Sequence, residues 1–191
     1  AGFIAAMVLG IPFGLCLAVN RYFHDIFFPP FEVLRPIPPL AWVPASIVFW
    51  PTTELSIAFV TFLGAFFTIV INVLGGARSI DIRYLRAAQS MGATQWDLFR
   101  KIILPGTLPS IFTGAAVGMG ITWEVVLAGE MISGGGQQGG GGLGFFIWSS
   151  YMGGTVAQVI VGMISIGIAG YLSSSLIRYI GSISMPWRRL F

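Results

Sequence analysis

Five apolar runs, each near the roughly 20 residues that a helix needs to cross the hydrocarbon of a bilayer, leave this chain few folds to choose from. They extend from Gly2 to Val19, Leu34 to Trp50, Leu55 to Gly76, Leu108 to Met131 and Thr155 to Ile177. Backbone groups in lipid must bond within their own segment, so the runs are read as helices, and no alternating barrel pattern competes. The predicted fold class is all-α, a polytopic transmembrane helical bundle forming one domain over residues 1–191. Apolar residues make up 55% of the chain and charged residues 9%, and mean hydropathy is +0.86. Those values exclude an ordinary soluble domain. Pro36, Pro38 and Pro39 crowd the start of the second run and Pro44 interrupts it, so an irregular beginning followed by a kinked helix is expected there.

The basic residues fix the orientation. Arg21 lies between the first and second runs with Arg35 at the very start of the second, Arg78, Arg83, Arg86, Arg100 and Lys101 between the third and fourth, and Arg178, Arg188 and Arg189 after the fifth. Alternating crossings place all three groups on one side, which the positive-inside rule makes the cytoplasm. Pro51 to Glu54 and the segment from 132 to 154 then lie outside, without Lys or Arg. Five crossings leave Ala1 outside as well, so a cytoplasmic N-terminus requires a sixth span upstream, in keeping with a chain that starts without methionine. The net charge of +3 reflects this topology and not nucleic-acid binding, because no basic patch interleaved with aromatics is present. Arg188 and Arg189, after Trp187, are expected to anchor the end of the chain at the anionic inner leaflet. The single Cys16 and single His24 assemble no disulfide or metal cluster.

Residues 77–107 are different in kind, a polar stretch between spans. Ile82, Leu85, Ala88 and Met91 recur at helical spacing, and Trp96, Leu98, Phe99, Ile102 and Ile103 form a second set after Gly92. Two short amphipathic helices meeting at a glycine are predicted. Gly92 suits the left-handed conformation that ends the first helix, Thr94 the cap of the second, and Asp97 the capping-box partner three residues on. Pro105 and Pro109 mark the return to the membrane.

An alanine pair at Ala87 and Ala88, Gly92 four residues later, and Ile102-x-Leu104-Pro105 ten residues beyond resemble the "EAA" loop of importer permeases in the ATP-binding-cassette class. Arg86 stands where that motif usually has glutamate. The segments Glu32 to Pro44, Gly64 to Phe67, Ala128 to Met131 and Gly142 to Trp148 resemble the subgroup that imports nitrate, sulfonates, taurine or bicarbonate. The resemblance implies a type I importer permease in the bacterial inner membrane. Its implied partners are a second permease copy, cytoplasmic ATPase subunits and a periplasmic or lipoprotein substrate-binding protein. ATP and Mg are implied to bind the ATPase partner, with no cofactor and no catalytic or metal site in this chain. Arg86, Ala87, Ala88, Gly92, Ile102, Leu104 and Pro105 are the implied ATPase-coupling residues.

Within the spans, Glu124 and Glu130 are the only acids, and intramembrane carboxylates are functional candidates because burying their charge is costly. Glu130 falls near the outer boundary and is read as a gate or helix-pairing residue, whereas Trp123 and Glu124 are pathway candidates in the outer half. Gly64, Gly75, Gly114, Gly118, Gly120 and Gly162 are read as close-packing positions. Ser133 to Gly142 resembles a phosphate loop only superficially, lacking Gly-Lys-Ser/Thr, and is read as a linker or an adaptable contact for the binding protein. Residues 144–148 are expected to return as a short interfacial helix. Since no Lys or Arg is placed inside a span, a neutral or cationic cargo such as a thiamine precursor stays open beside the small anion. A carrier driven by an ion gradient, with Glu124 or Glu130 relaying protons, is the second alternative.

Overall fold

The computed structural model describes residues 1–133 and 141–187, and every regular element among them is helical. The helices are α1 (Gly2–Val19), α2 (Arg21–Leu34), a 3-10 turn (Pro39–Trp42) leading into α3 (Val43–Phe49), α4 (Thr53–Arg78), α5 (Ile82–Ser90), α6 (Gln95–Leu98), α7 (Leu104–Ser133), α8 (Leu143–Met152) and α9 (Val156–Ser184). The glycine and glutamine positions at 134–140 and the pair Arg188 and Arg189 lie outside the described residues.

Contacts along α1 and α4 show that these two helices run in the same direction. Gly2 lies against Ala58 and Phe62, Gly10 against Phe66 and Ile69, and Gly14 against Val70 and Val73. Parallel neighbours require the chain between them to travel back the full length of α1. Residues 20–52 make that return in pieces. Phe23 of α2 meets Phe13 of α1, Phe31 meets Phe66 and Phe67, Pro39 lies against Gly64, and Ser56 Oγ donates to the Ser46 carbonyl at 2.9 Å.

The irregular beginning expected of the run from Leu34 to Trp50 is present, but the run does not cross as one span of its own. Among the described residues four helices are long and apolar enough to span alone, and Pro39–Phe49 is a shorter apolar helix. The return is a composite of α2, an irregular step at 35–38, the 3-10 turn and α3. Pro36, Pro38 and Pro39 withhold three backbone donors in four residues, which forbids a continuous helix. A second correction follows for Arg35. It stands just beyond the level of Phe31 and Phe66, and Phe66 is near the midpoint of α4. Arg35 is thus at mid-depth and not at the cytoplasmic face, whereas Arg21 remains at the corner between α1 and α2.

The remaining helices alternate as expected. α7 runs antiparallel to α4, with Thr107 and Ser110 against Gly76, Gly114 against Asn72, Val125 against Gly64 and Gly129 against Ile57. α9 runs antiparallel to α7, placing Gly181 against Phe112 and Gly170 against Trp123. The Gly114 and Gly118 seam packs closely on α4, while Gly75 and Gly120 face open space. Ala6, Leu15, Ala65, Ile69, Val73 and Ile111 form the core where α1, α4 and α7 meet. Fully burying each of the larger ones contributes about 1.5–3 kcal/mol relative to water, and lipid replaces water as the competitor once the bundle is inserted.

Candidate functional site

The polar loop folds much as its sequence dictates. Asp81 caps α5 by accepting the Arg83 amide at 2.8 Å, and the Arg83 guanidinium pairs with the same carboxylate at 3.0 Å. α5 stops at Gly92, whose φ of +83° reverses the chain. Thr94 and Asp97 then form the reciprocal capping box: Thr94 Oγ1 accepts the Asp97 amide, and Asp97 accepts the Thr94 amide, both at 3.2 Å. One difference is that the second helix is not short. α6 passes through a π turn at Phe99–Ile103, where the Leu104 amide donates to the Phe99 carbonyl five residues back. It then continues into α7 as one rod from Gln95 to Met131. The widened turn lies immediately before Pro105, which has no N–H for the ladder.

This geometry sorts the seven loop residues into three places. Ala88, Gly92 and Ile102 line one groove of about 300 Å³ together with Met91, Asp97 and Lys101. Arg86 and Ala87 lie exposed on α5, and Arg86 makes no ion pair among the described residues. Leu104 packs against the core of α1, α4 and α7, so it and Pro105 fasten the loop to the bundle instead of lining the groove. Around the groove, Ile82, Tyr84, Met91 and Trp96 are exposed, with Met91 at the tip at 88%. A two-helix frame thus holds an exposed apolar tip outside the spans.

The Asp97 carboxyl is lowered from 3.8 to about 2. The Lys101 ammonium bonding it at 2.7 Å is the largest cause, followed by the Thr94 hydroxyl and amide. A depressed carboxylate adds stability above its unfolded value and loses it as pH falls through its folded value. Exchange of the Thr94 and Asp97 amides, corrected for intrinsic rates, is expected to stay protected above pH 4 and to open between 3.8 and about 2. In Asp97→Ala, which removes the acceptor, the Thr94 amide should already be open at pH 7. Protection in that variant equal to wild type would show that the capping box does not hold the turn.

The three span candidates do not form one cluster. Trp123 and Glu124 line an open groove of about 510 Å³ between α7 and α9, facing Gly167, Gly170 and Tyr171. Trp123 Nε1 donates to Ser173 Oγ at 2.9 Å, a partner that its sequence position did not reveal. Glu130 faces elsewhere, and its Oε2 accepts the Gly144 amide at 2.8 Å. Gly144 is in the first turn of α8, whose cap Gly142 offers no side chain, so a carboxylate from α7 occupies the capping position. Gly142 and Gly144 lack the Cβ atoms that would collide with Glu130. The short helix expected at 144–148 is present as α8.

A family model described as the inner membrane component of binding-protein-dependent transport systems matches residues 9–189. The nitrate import permease protein NrtB of Synechocystis sp. is 36% identical over 97% of this chain and 66% of its own length. The bicarbonate transport system permease protein CmpB of Synechococcus elongatus is 35% identical over 90% and 60%. The taurine transport system permease protein TauC of Escherichia coli is 32% identical over 96% and 65%. The chain thus spans at most about two thirds of the length of these curated relatives. In fold it is similar to a chain of the inward-facing MetNI methionine ABC transporter, with TM-score 0.71, 23% identity, and coverage of 97% of this chain and 88% of that one.

Proposed function

The chain belongs to the inner-membrane-component family of binding-protein-dependent transport systems, and from that premise we propose that it carries a small anion inward by alternating access, driven by ATP hydrolysis in separate cytoplasmic subunits. Nitrate, bicarbonate and taurine or another sulfonate are the cargo candidates, because the relatives named for those substrates match most of this chain. The observation that carries the coupling role is the rigid, apolar-tipped knob of α5 and α6, continuous through the π turn with a membrane-spanning helix. Ala88, Gly92 and Ile102 form the seat for the ATPase, Arg86 and Ala87 flank it, and Leu104 and Pro105 connect it to the bundle. ATP and Mg bind the ATPase subunits. A second copy of this chain completes the pathway, and a substrate-binding protein delivers the cargo to the outer face. Trp123 and Glu124 line the outer part of the route, and Glu130 holds α8 in place beside it.

The test is purification of the complex with its membrane neighbours, followed by reconstitution into lipid vesicles. An ATPase should co-purify, and uptake of nitrate, bicarbonate or taurine should require ATP and the binding protein. Uptake that persists with a hydrolysis-dead ATPase, driven by an ion gradient, would replace this reading with the carrier.

A further inference from the structure

Residues 32–38 are exposed on the single chain, and they occupy the middle depth of the bundle. Irregular backbone at membrane depth is tolerated only where it is covered by protein or lines a water-filled cavity. The charges in this segment point the same way. Arg35 Nη1 donates to Glu32 Oε1 at 3.3 Å, with the two side chains 43% and 49% exposed. A half-exposed ion pair at mid-depth does not face lipid tails, because charged side chains there turn to the bundle interior or to water. Among the described residues this long bond is the only one that the guanidinium makes, which leaves most of its five donors open. Of the described basic residues, Arg35 is the one the helix register puts at mid-depth: Arg21, Arg78 and Arg178 stand at or toward the cytoplasmic ends, and the rest lie in the loop.

We propose that Arg35, presented by the break between α2 and the 3-10 turn, is the contact for the anionic group of the cargo at the middle of the pathway, with Glu32 positioning the guanidinium and neutralising it between cargoes. Pro36, Pro38 and Pro39 stop the helix just beyond Arg35, whose own amide still donates to the Phe31 carbonyl at 3.0 Å, so the fork is carried on the last hydrogen-bonded residue of α2, at the edge of the unwound step. The guanidinium presents parallel N–H groups that match a planar or tetrahedral oxyanion, which nitrate, bicarbonate and sulfonate all offer. This site rests on the anion-import reading above and names the residue that serves it.

The experiment uses the complete complex in vesicles, with labelled nitrate, bicarbonate and taurine as probes and the amount of co-purified ATPase as the check on assembly. Arg35→Gln should lower ATP-dependent uptake of whichever probe the wild type carries by roughly tenfold or more, while Arg35→Lys should retain part of it. The double variant Glu32→Gln with Arg35→Gln separates the roles. It removes both charges, so it should restore the melting temperature toward wild type and leave uptake low. Recovery of uptake in the double variant would overturn the proposal and make the pair purely structural, as would normal uptake by Arg35→Gln. If Arg35→Gln fails to assemble, the double variant decides alone. Failure of the wild-type complex to move any of the three probes with ATP would instead remove the anion-import reading, and this site with it.

Discussion

Gly92→Pro is expected to strip the complex of its ATPase while leaving the helical bundle folded. Gly92 has φ of +83°, a value proline is unable to adopt, and its amide donates to the Gln89 carbonyl at 2.9 Å, a donor that proline lacks. The turn fails on both counts, and α5 no longer meets α6 at the angle that forms the groove. Nothing stands within 4 Å of where a Cβ would be, so other substitutions test the backbone alone. Asparagine tolerates the left-handed region and should behave nearly as wild type, whereas alanine introduces strain of about 1–2 kcal/mol. The amount of ATPase retained after purification should fall in the order Gly, Asn, Ala, Pro. For proline the loss should be at least roughly tenfold, about 1.4 kcal/mol of docking free energy. Retention by Gly92→Pro of a full complement of ATPase would remove the loop from the coupling interface.

The second large effect is expected at the outer end of the bundle. Glu130→Ala leaves the Gly144 amide without its acceptor, and loss of a hydrogen bond to a charged group costs about 1.5–3 kcal/mol. Gly144→Ala acts on the same contact from the other side, since its Cβ would run into the Leu127 carbonyl and Glu130. Both variants should raise amide exchange across Phe145, Phe146 and Ile147 while leaving α4 protected. Because the two changes break one interaction, the double variant should be little worse than the more damaging single one. Glu130→Gln keeps an acceptor and should sit between. Wild-type exchange rates in α8 of Glu130→Ala would show that the carboxylate does not hold that helix.

What the sequence disclosed was local. Gly92, Thr94 and Asp97 act on neighbours within four residues, so their spacing alone specified the reversal and the cap of α6, whereas the Asp81 cap of α5, though equally local, was not read. The long apolar helices were legible for the same reason, each being set by its own hydropathy. Contacts between distant residues were not. Glu130 and Gly144 are joined across the glycine-rich stretch, and Trp123 meets Ser173 from another helix. The composite return was hidden because hydropathy started the second crossing at Leu34 and passed over α2. Its stripe of Phe23, Phe27 and Phe31 is diluted by Arg21, Asp25, Glu32, Pro29 and Pro30. Only the parallel register of α1 with α4 moved Arg35 from the cytoplasmic edge to mid-depth.

The unbroken rod formed by α6 and α7 carries a mechanical consequence. α7 alone has 30 residues, about 45 Å of helix at the usual rise. A swing of about 5° pivoting near Pro105 therefore displaces the Glu130 end by about 3 Å, simply from lever-arm length. On the coupling role proposed above, the stroke needed at the short arm is correspondingly small, and its amplification is set by helix length and stiffness and not by any single contact. Pro109, the proline inside α7, stands close to the pivot, where a softened turn takes least from the reach of the far end.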